Sequence, residues 1–134
     1  MSNAVQDKSE ALAVRVVNLW KYLLRHQEYD ISRQVKRSGT SVGANICEAL
    51  HASSKKDFLN KMYISYKELG ETKYWLRILS KTELITHDSF TSLNSDCEEL
   101  DRIIASIIKT TKENINNSST NTEQEEEDRK GTNS

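Results

Sequence analysis

Apolar residues return every three or four positions along most of this chain, the spacing that stacks them on one side of a helix. From Val5 to Tyr29, the residues Leu12, Val16, Leu19, Trp20, Leu23 and Leu24 make such a stripe and predict a first helix. A second is predicted from Asp30, a candidate N-cap, to about Ala52, with Ile31, Val35, Ser38, Val42, Ile46 and Ala49 facing inward. Ser53-Ser54 opens a third, where Ser54 and Asp57 have the spacing of a capping box. Its inner line runs through Phe58, Met62, Ser65, Leu69, Thr72, Leu76 and Leu79. The fourth is predicted from about Asp88 to Glu113, where Phe90, Leu93, Cys97, Leu100, Ile104, Ile107 and Thr111 alternate steps of three and four in a heptad seam.

Short connections between helices of similar length make sequence neighbours antiparallel. The predicted fold is therefore all-α, an antiparallel up-down-up-down four-helix bundle over residues 1–113. From 114 to 134 the apolar period stops, and Asn, Ser and Thr lead into the acidic run Glu123–Asp128. Such a segment buries too little to offset its ordering entropy, so a disordered, acidic, polar tail is expected. The chain has no proline and only four glycines, which suits long helices and argues against a turn-rich β fold.

Gly39 and Gly43 lie four apart inside the second predicted helix. Each costs about 1 kcal/mol relative to alanine there, so they mark a place of close helix packing. Beside them a polar row, Arg37, Ser41, Asn45 and Glu48, flanks the apolar face, and Glu68 and Glu71 hold a comparable flank of the third helix. A polar network that sets register between these two helices, joined by Lys61, is the expectation. The competing reading, a carboxylate acid/base pair, lacks a nucleophile, an oxyanion hole or a cleft, so no catalytic residue and no enzyme activity are expected.

Charge divides the chain into blocks. Residues 15–82 carry thirteen Lys/Arg against six Asp/Glu, residues 83–113 three against seven, and residues 114–134 two against five. On the third helix Lys56, Tyr63, Lys67, Tyr74, Arg77 and Lys81 share the outward side, bordered by Tyr66 and Lys73. Cations interleaved with tyrosines suit phosphates flanked by stacking bases, so Lys56, Tyr63, Lys67, Lys73, Tyr74, Arg77 and Lys81 are the candidate nucleic-acid contacts. The alternative is a solvated face with tyrosines lying on lysine stems. Ile64, Trp75, Ile78, Ile103 and Ile108 lie off the main seams and are the candidate self-association surface. Cys47, Cys97 and the three histidines lack metal-ligand spacing, so neither a metal nor a cofactor is expected. With no apolar run of about 20 residues and no secretory leader, a cytoplasmic protein without membrane contact is expected.

The run Arg37-Ser-Gly-Thr-Ser-Val-Gly-Ala-Asn45-Ile-Cys-Glu48, followed by Lys55-Lys-Asp-Phe58, Lys67-Glu68 and Glu71-Thr-Lys-Tyr-Trp75, resembles the bacterial "four helix bundle protein" family. That family includes proteins encoded in intervening sequences of large-subunit ribosomal RNA genes. The accessory variability protein of diversity-generating retroelements is a related branch. The resemblance spans about residues 8 to 112 and is densest over 31 to 79. It implies a homopentamer with basic surfaces and no enzyme activity, and, from the retroelement branch, binding of RNA or DNA and of a reverse transcriptase. Arg37, Gly39, Ser41, Gly43, Asn45 and Glu48 match the second-helix signature, and Lys67, Glu68, Glu71 and Trp75 the third-helix one. Cys47 and Leu50-His51 depart from the small residues expected there, and the acidic tail is particular to this chain. The functional expectation is a non-enzymatic oligomeric adaptor for structured RNA or a reverse transcriptase/RNA complex. The alternative is a protein–protein scaffold that does not touch nucleic acid.

Overall fold

The computed structural model describes residues 3–131, apart from the side chains of 119–124. Four helices follow one another, α1 (Ala4–Arg25), α2 (Asp30–Leu50), α3 (Lys55–Lys81) and α4 (His87–Gly131). Among the described residues there is no strand. α1 packs on α2, α2 on α3 and α3 on α4, and α1 also meets α4, while the backbones of the diagonal pairs α1–α3 and α2–α4 stay apart. The four therefore form a ring around one core, which is the arrangement of a helical bundle.

Local chemistry decides where the helices stop and start. Asn3 caps α1 by accepting from the N–H groups of Val5 (3.1 Å) and Gln6 (3.3 Å). α1 ends at Arg25 rather than running to Tyr29, because Gln27 turns to φ 63° and the Glu28 N–H bonds back to the Leu23 carbonyl at 2.9 Å. α3 ends the same way, with Glu83 at φ 61° and the Leu84 N–H on the Leu79 carbonyl. Asp30 is the first residue of α2 and not its N-cap. The cap is supplied by Glu28, whose carboxylate accepts from the N–H groups of Asp30, Ile31 and Ser32 at 3.2, 3.0 and 2.6 Å. At α3 the Ser54 hydroxyl accepts from the Asp57 N–H at 3.1 Å, as its spacing predicted.

The core follows the predicted stripes closely, with Leu12, Val16, Leu23, Val35, Val42, Ile46, Met62, Leu69, Leu76, Leu79, Leu100 and Ile104 all but sealed from solvent. Trp20, Leu24, Ile31, Phe58 and Phe90 are half-buried at its edges. One line drifts. After Ile104 the buried residue is Ile108, and Ile107 and Thr111 are half-buried. A straight helix slips by about 20° per heptad against a 3.5-residue repeat, which moves the seam over by one residue. Ile108, expected on a self-association surface, thus belongs to the chain's own core.

Over most of the stretch expected as a disordered tail the structure describes a continuation of the last helix. α4 continues past Glu113 to Gly131 with no proline and no internal glycine to break it, and Arg129 and Lys130 fall in its last turn, where the helix dipole favours cations. What changes near Ile108 is packing, since the described side chains from 112 onward are exposed except for half-buried Ile115. Of that tail, residues 132–134 and the side chains of 119–124 lie outside the described residues.

Gly39 and Gly43 set the distance between α1 and α2. A Cβ on Gly39 would stand 2.7 and 2.8 Å from the two γ-methyls of Val16, and one on Gly43 would stand 3.3 Å from the Ser9 carbonyl oxygen. Val16 is completely buried and β-branched, so it has nowhere to rotate. Gly39→Ala gains about 1 kcal/mol of helix propensity but overpacks the core by about 1–3 kcal/mol, for an expected net loss of about 1 kcal/mol in urea unfolding. In a Val16→Ala background, which makes room, the same substitution is expected to be neutral or stabilising. An equal penalty in both backgrounds would contradict the contact.

Candidate nucleic-acid interface

Ion pairs stitch three of the four helix seams. Between α2 and α3, Arg37 donates to Glu68 at 3.2 Å and to Glu71, and Lys61 meets Glu48 at 2.9 Å. The carboxylates raise the Arg37 pKa, chiefly through the bond to Glu71. Between α3 and α4, Lys73 lies 3.0 Å from Asp101 and 3.3 Å from Glu98. Burial works against its charge, but the bonds it donates to Asp101 and Glu98 prevail and its pKa is raised. Between α1 and α4, Arg15 bonds Asp96 at 2.6 Å and also Ser92, and Lys8 reaches Glu99 at 2.7 Å. Partly exposed pairs are each worth about 0–1 kcal/mol, so their main effect is to fix register and to neutralise acids.

Small hydroxyls complete the α2–α3 seam from inside. The Thr72 hydroxyl donates to Ser38 at 2.9 Å and the Ser65 hydroxyl to the Val42 carbonyl at 2.8 Å, all within the buried core. Among the expected register residues, Arg37, Glu68 and Glu71 form one cluster and Glu48 pairs separately with Lys61. Ser41 and Asn45 bond only to α2's own carbonyls, those of Arg37 and Ser41.

The acids of α3 are drawn to the α2 side. Glu68 and Glu71 hold Arg37, and Asp57 acts on Lys61. The opposite side carries Lys56, Tyr63, Tyr66, Lys67, Tyr74, Arg77 and Lys81, every one exposed. Among the described residues none of these cations has an ion-pair partner; Arg77 lies 6.0 Å from the centre of the Tyr74 ring. Lys73 departs from the expected set, because it turns into the α3–α4 seam and its charge is neutralised there. Arg102, Lys109 and Lys112 of α4 were not singled out by sequence reasoning, and all three are exposed. Lys112 stands 5.9 Å from the Tyr63 ring centre, which extends the basic surface across the seam. It falls fourteen residues, four heptad half-steps, after Glu98, and that periodicity was the available signal.

The remaining expected surface residues divide. Ile64, Trp75, Ile78 and Ile103 are half-buried, and Trp75 and Ile103 rest against the core. The Trp75 indole N–H is buried without a hydrogen-bond partner among the described residues. Val14 of α1, 58% exposed, is the most open large apolar residue among those described. Cys97 is buried, which pushes its thiol up to about 12, so it is inert at neutral pH. A cleft of about 420 Å³ lies between α1 and the start of α4, and its one charged lining residue, Arg15, is already held by Asp96. Among the described residues no three His, Cys, Asp or Glu side chains are grouped to hold a metal, and no helix is long and apolar enough to cross a membrane.

Fold and surface together define an all-α bundle in which the two mid-helix acids of α3 are taken up at the α2 seam, while α3 presents tyrosines and cations that have no ion-pair partner among the described residues. The chain belongs to the 23S rRNA-intervening sequence protein family, which it matches over residues 1–106. A solved structure from Bacteroides thetaiotaomicron VPI-5482, described as a protein of unknown function from the S23 ribosomal protein family, is 50% identical. The match covers 78% of this chain and 98% of that one, with a TM-score of 0.78. The comparison with curated proteins finds no match.

Proposed function

We propose that this protein is a non-enzymatic, oligomeric adaptor that binds RNA along the outward face of α3 and the adjoining edge of α4. The observation that carries the reading is the separation of charge on α3. Its three acids serve the α2 seam or the helix start, while Lys56, Lys67, Arg77 and Lys81 stay exposed among tyrosines. Phosphates release counterions when they meet such cations, and exposed rings offer stacking surfaces to bases. The family's description concerns 23S rRNA, which supports RNA, free or in a complex with a protein such as a reverse transcriptase, over DNA as the natural ligand.

The assembly completes the proposal. Up-down-up-down bundles join as a homopentamer in the cytoplasm, repeating the basic face around the ring so that weak contacts add. Ile64, Trp75, Ile78 and Ile103, half-buried in a single chain, supply apolar surface for this. A second reading, a protein scaffold free of nucleic acid, draws on exposed Val14 beside half-buried Ala13 and Val17 on α1.

The combined charge reversal Lys67→Glu, Arg77→Glu, Lys81→Glu is expected to weaken RNA binding by more than tenfold and to lower the salt slope of log K by about two. Its thermal melt should match that of the unmodified protein, because none of the three side chains is buried or ion-paired among the described residues. Undiminished RNA retention by this variant would contradict the assignment and favour the scaffold. Light scattering should give about five times the 15.4 kDa mass of the chain. A monomeric mass would remove the pentamer from the account.

A further inference from the structure

Gly70 occupies the middle of α3, is exposed, and has an unusual set of neighbours. Residues three, four and seven positions away share its side of the helix. Those positions are Tyr63, Tyr66, Lys67, Lys73, Tyr74 and Arg77, each a tyrosine or a cation, and all are exposed except Lys73, which turns into the α3–α4 seam. The glycine is the bare centre of the Lys/Tyr face. Gly39 and Gly43 are explained by α1 lying against them, but a Cβ added to Gly70 meets nothing within 4 Å. Its cost to the helix therefore has no return within the chain.

Resting on the RNA-binding reading above, we infer that Gly70 is the floor of a seat for an unstacked base of a single-stranded nucleic acid. Tyr63, Tyr66 and Tyr74 wall the seat, and Lys67 and Arg77 take the flanking phosphates. Removing a side chain at the centre of a ring of long ones leaves a notch in which a planar group can reach the backbone. The three tyrosines are 38, 38 and 46% exposed, so their rings are not spent on the core. Arg77 lies beside the Tyr74 ring and Lys112 beside the Tyr63 ring, at 6.0 and 5.9 Å from their centres. A nucleotide needs that pairing, a cation for its phosphate next to a ring for its base.

Two other occupants fit less well. A duplex hides its base faces and would use the cations while leaving the rings idle. A second copy docked face to face across a two-fold axis would bring Lys67 and Arg77 against their own counterparts, and a head-to-tail neighbour in a ring is the alternative that the mass measurement below tests.

The test compares the full-length protein with Gly70→Ala and Gly70→Leu by fluorescence anisotropy. The probes are labelled oligouridine RNA, the equivalent single-stranded DNA, and an RNA duplex, and melting and mass are measured in parallel. Gly70→Ala is expected to melt higher than the parent. Gly70→Leu, with space to fold, should keep the parent mass and lose about tenfold or more of its affinity for single-stranded RNA, while duplex binding barely moves. An equal loss for DNA supports a seat for base and phosphate, and a loss confined to RNA supports one that also touches the ribose hydroxyl. Unchanged single-strand binding by Gly70→Leu, with the charge-reversal variant still impaired, overturns the seat and leaves the RNA-binding reading standing. An altered mass assigns the notch to a second copy and overturns it too. Failure of the parent protein to bind any probe overturns both.

Discussion

Arg37 reaches from α2 to both Glu68 and Glu71 on α3, and that clasp decides what the rest of α3 can present. With its two mid-helix acids fixed on one side, α3 turns towards solvent a surface of lysine, arginine and tyrosine around Gly70, with no exposed acid. Asp101 and Glu98 do the same for α4 by holding Lys73, and Asp96 and Glu99 by holding Arg15 and Lys8. No single pair needs to be strong for this to work. Its effect is geometric: in a chain of almost zero net charge, α3 acquires a face of one sign because its own acids are committed to the other side.

The seams can be this specific because the backbones lie close. Gly39 admits Val16, and Gly43 lets the Ser9 carbonyl approach, which brings α1 against α2. Ser38, Ser65 and Thr72 play the equivalent part between α2 and α3, being small enough to pack, with Thr72 bonded to Ser38 and Ser65 to the Val42 carbonyl. The same small residues that dominate the middle of the chain therefore belong to the scaffold. Gly70 is the exception, and its surroundings are those of a contact surface.

Much of this was legible in the residue order, for identifiable reasons. A buried stripe must repeat at the helical period, so Val35, Val42, Ile46, Leu69, Leu76 and Leu100 announce themselves. Arg37, Glu68 and Glu71 could be grouped because each flanks such a stripe. What a one-dimensional pattern conceals is any choice made by a turn or by a neighbour. Glu28 displaces Asp30 as the cap of α2 because Gln27 adopts a left-handed turn that carries no glycine to signal it. Lys73 reads as one more surface cation until α4 places Asp101 and Glu98 beside it. Ile108 enters the core because a straight helix does not hold a heptad indefinitely. Past Glu113 the loss of apolar period marks the end of packing, while α4 itself goes on.

Tyrosines provide an internal control for the proposal that nucleic acid lies on α3. The chain has five, Tyr63, Tyr66 and Tyr74 on the α3 face and Tyr22 and Tyr29 near the α1–α2 turn. Photocrosslinking to 4-thiouridine RNA followed by peptide mass spectrometry reports which of them the strand touches. Adducts are expected at Tyr63, Tyr66 and Tyr74. Adducts concentrated at Tyr22 and Tyr29, or spread evenly over all five, would contradict it.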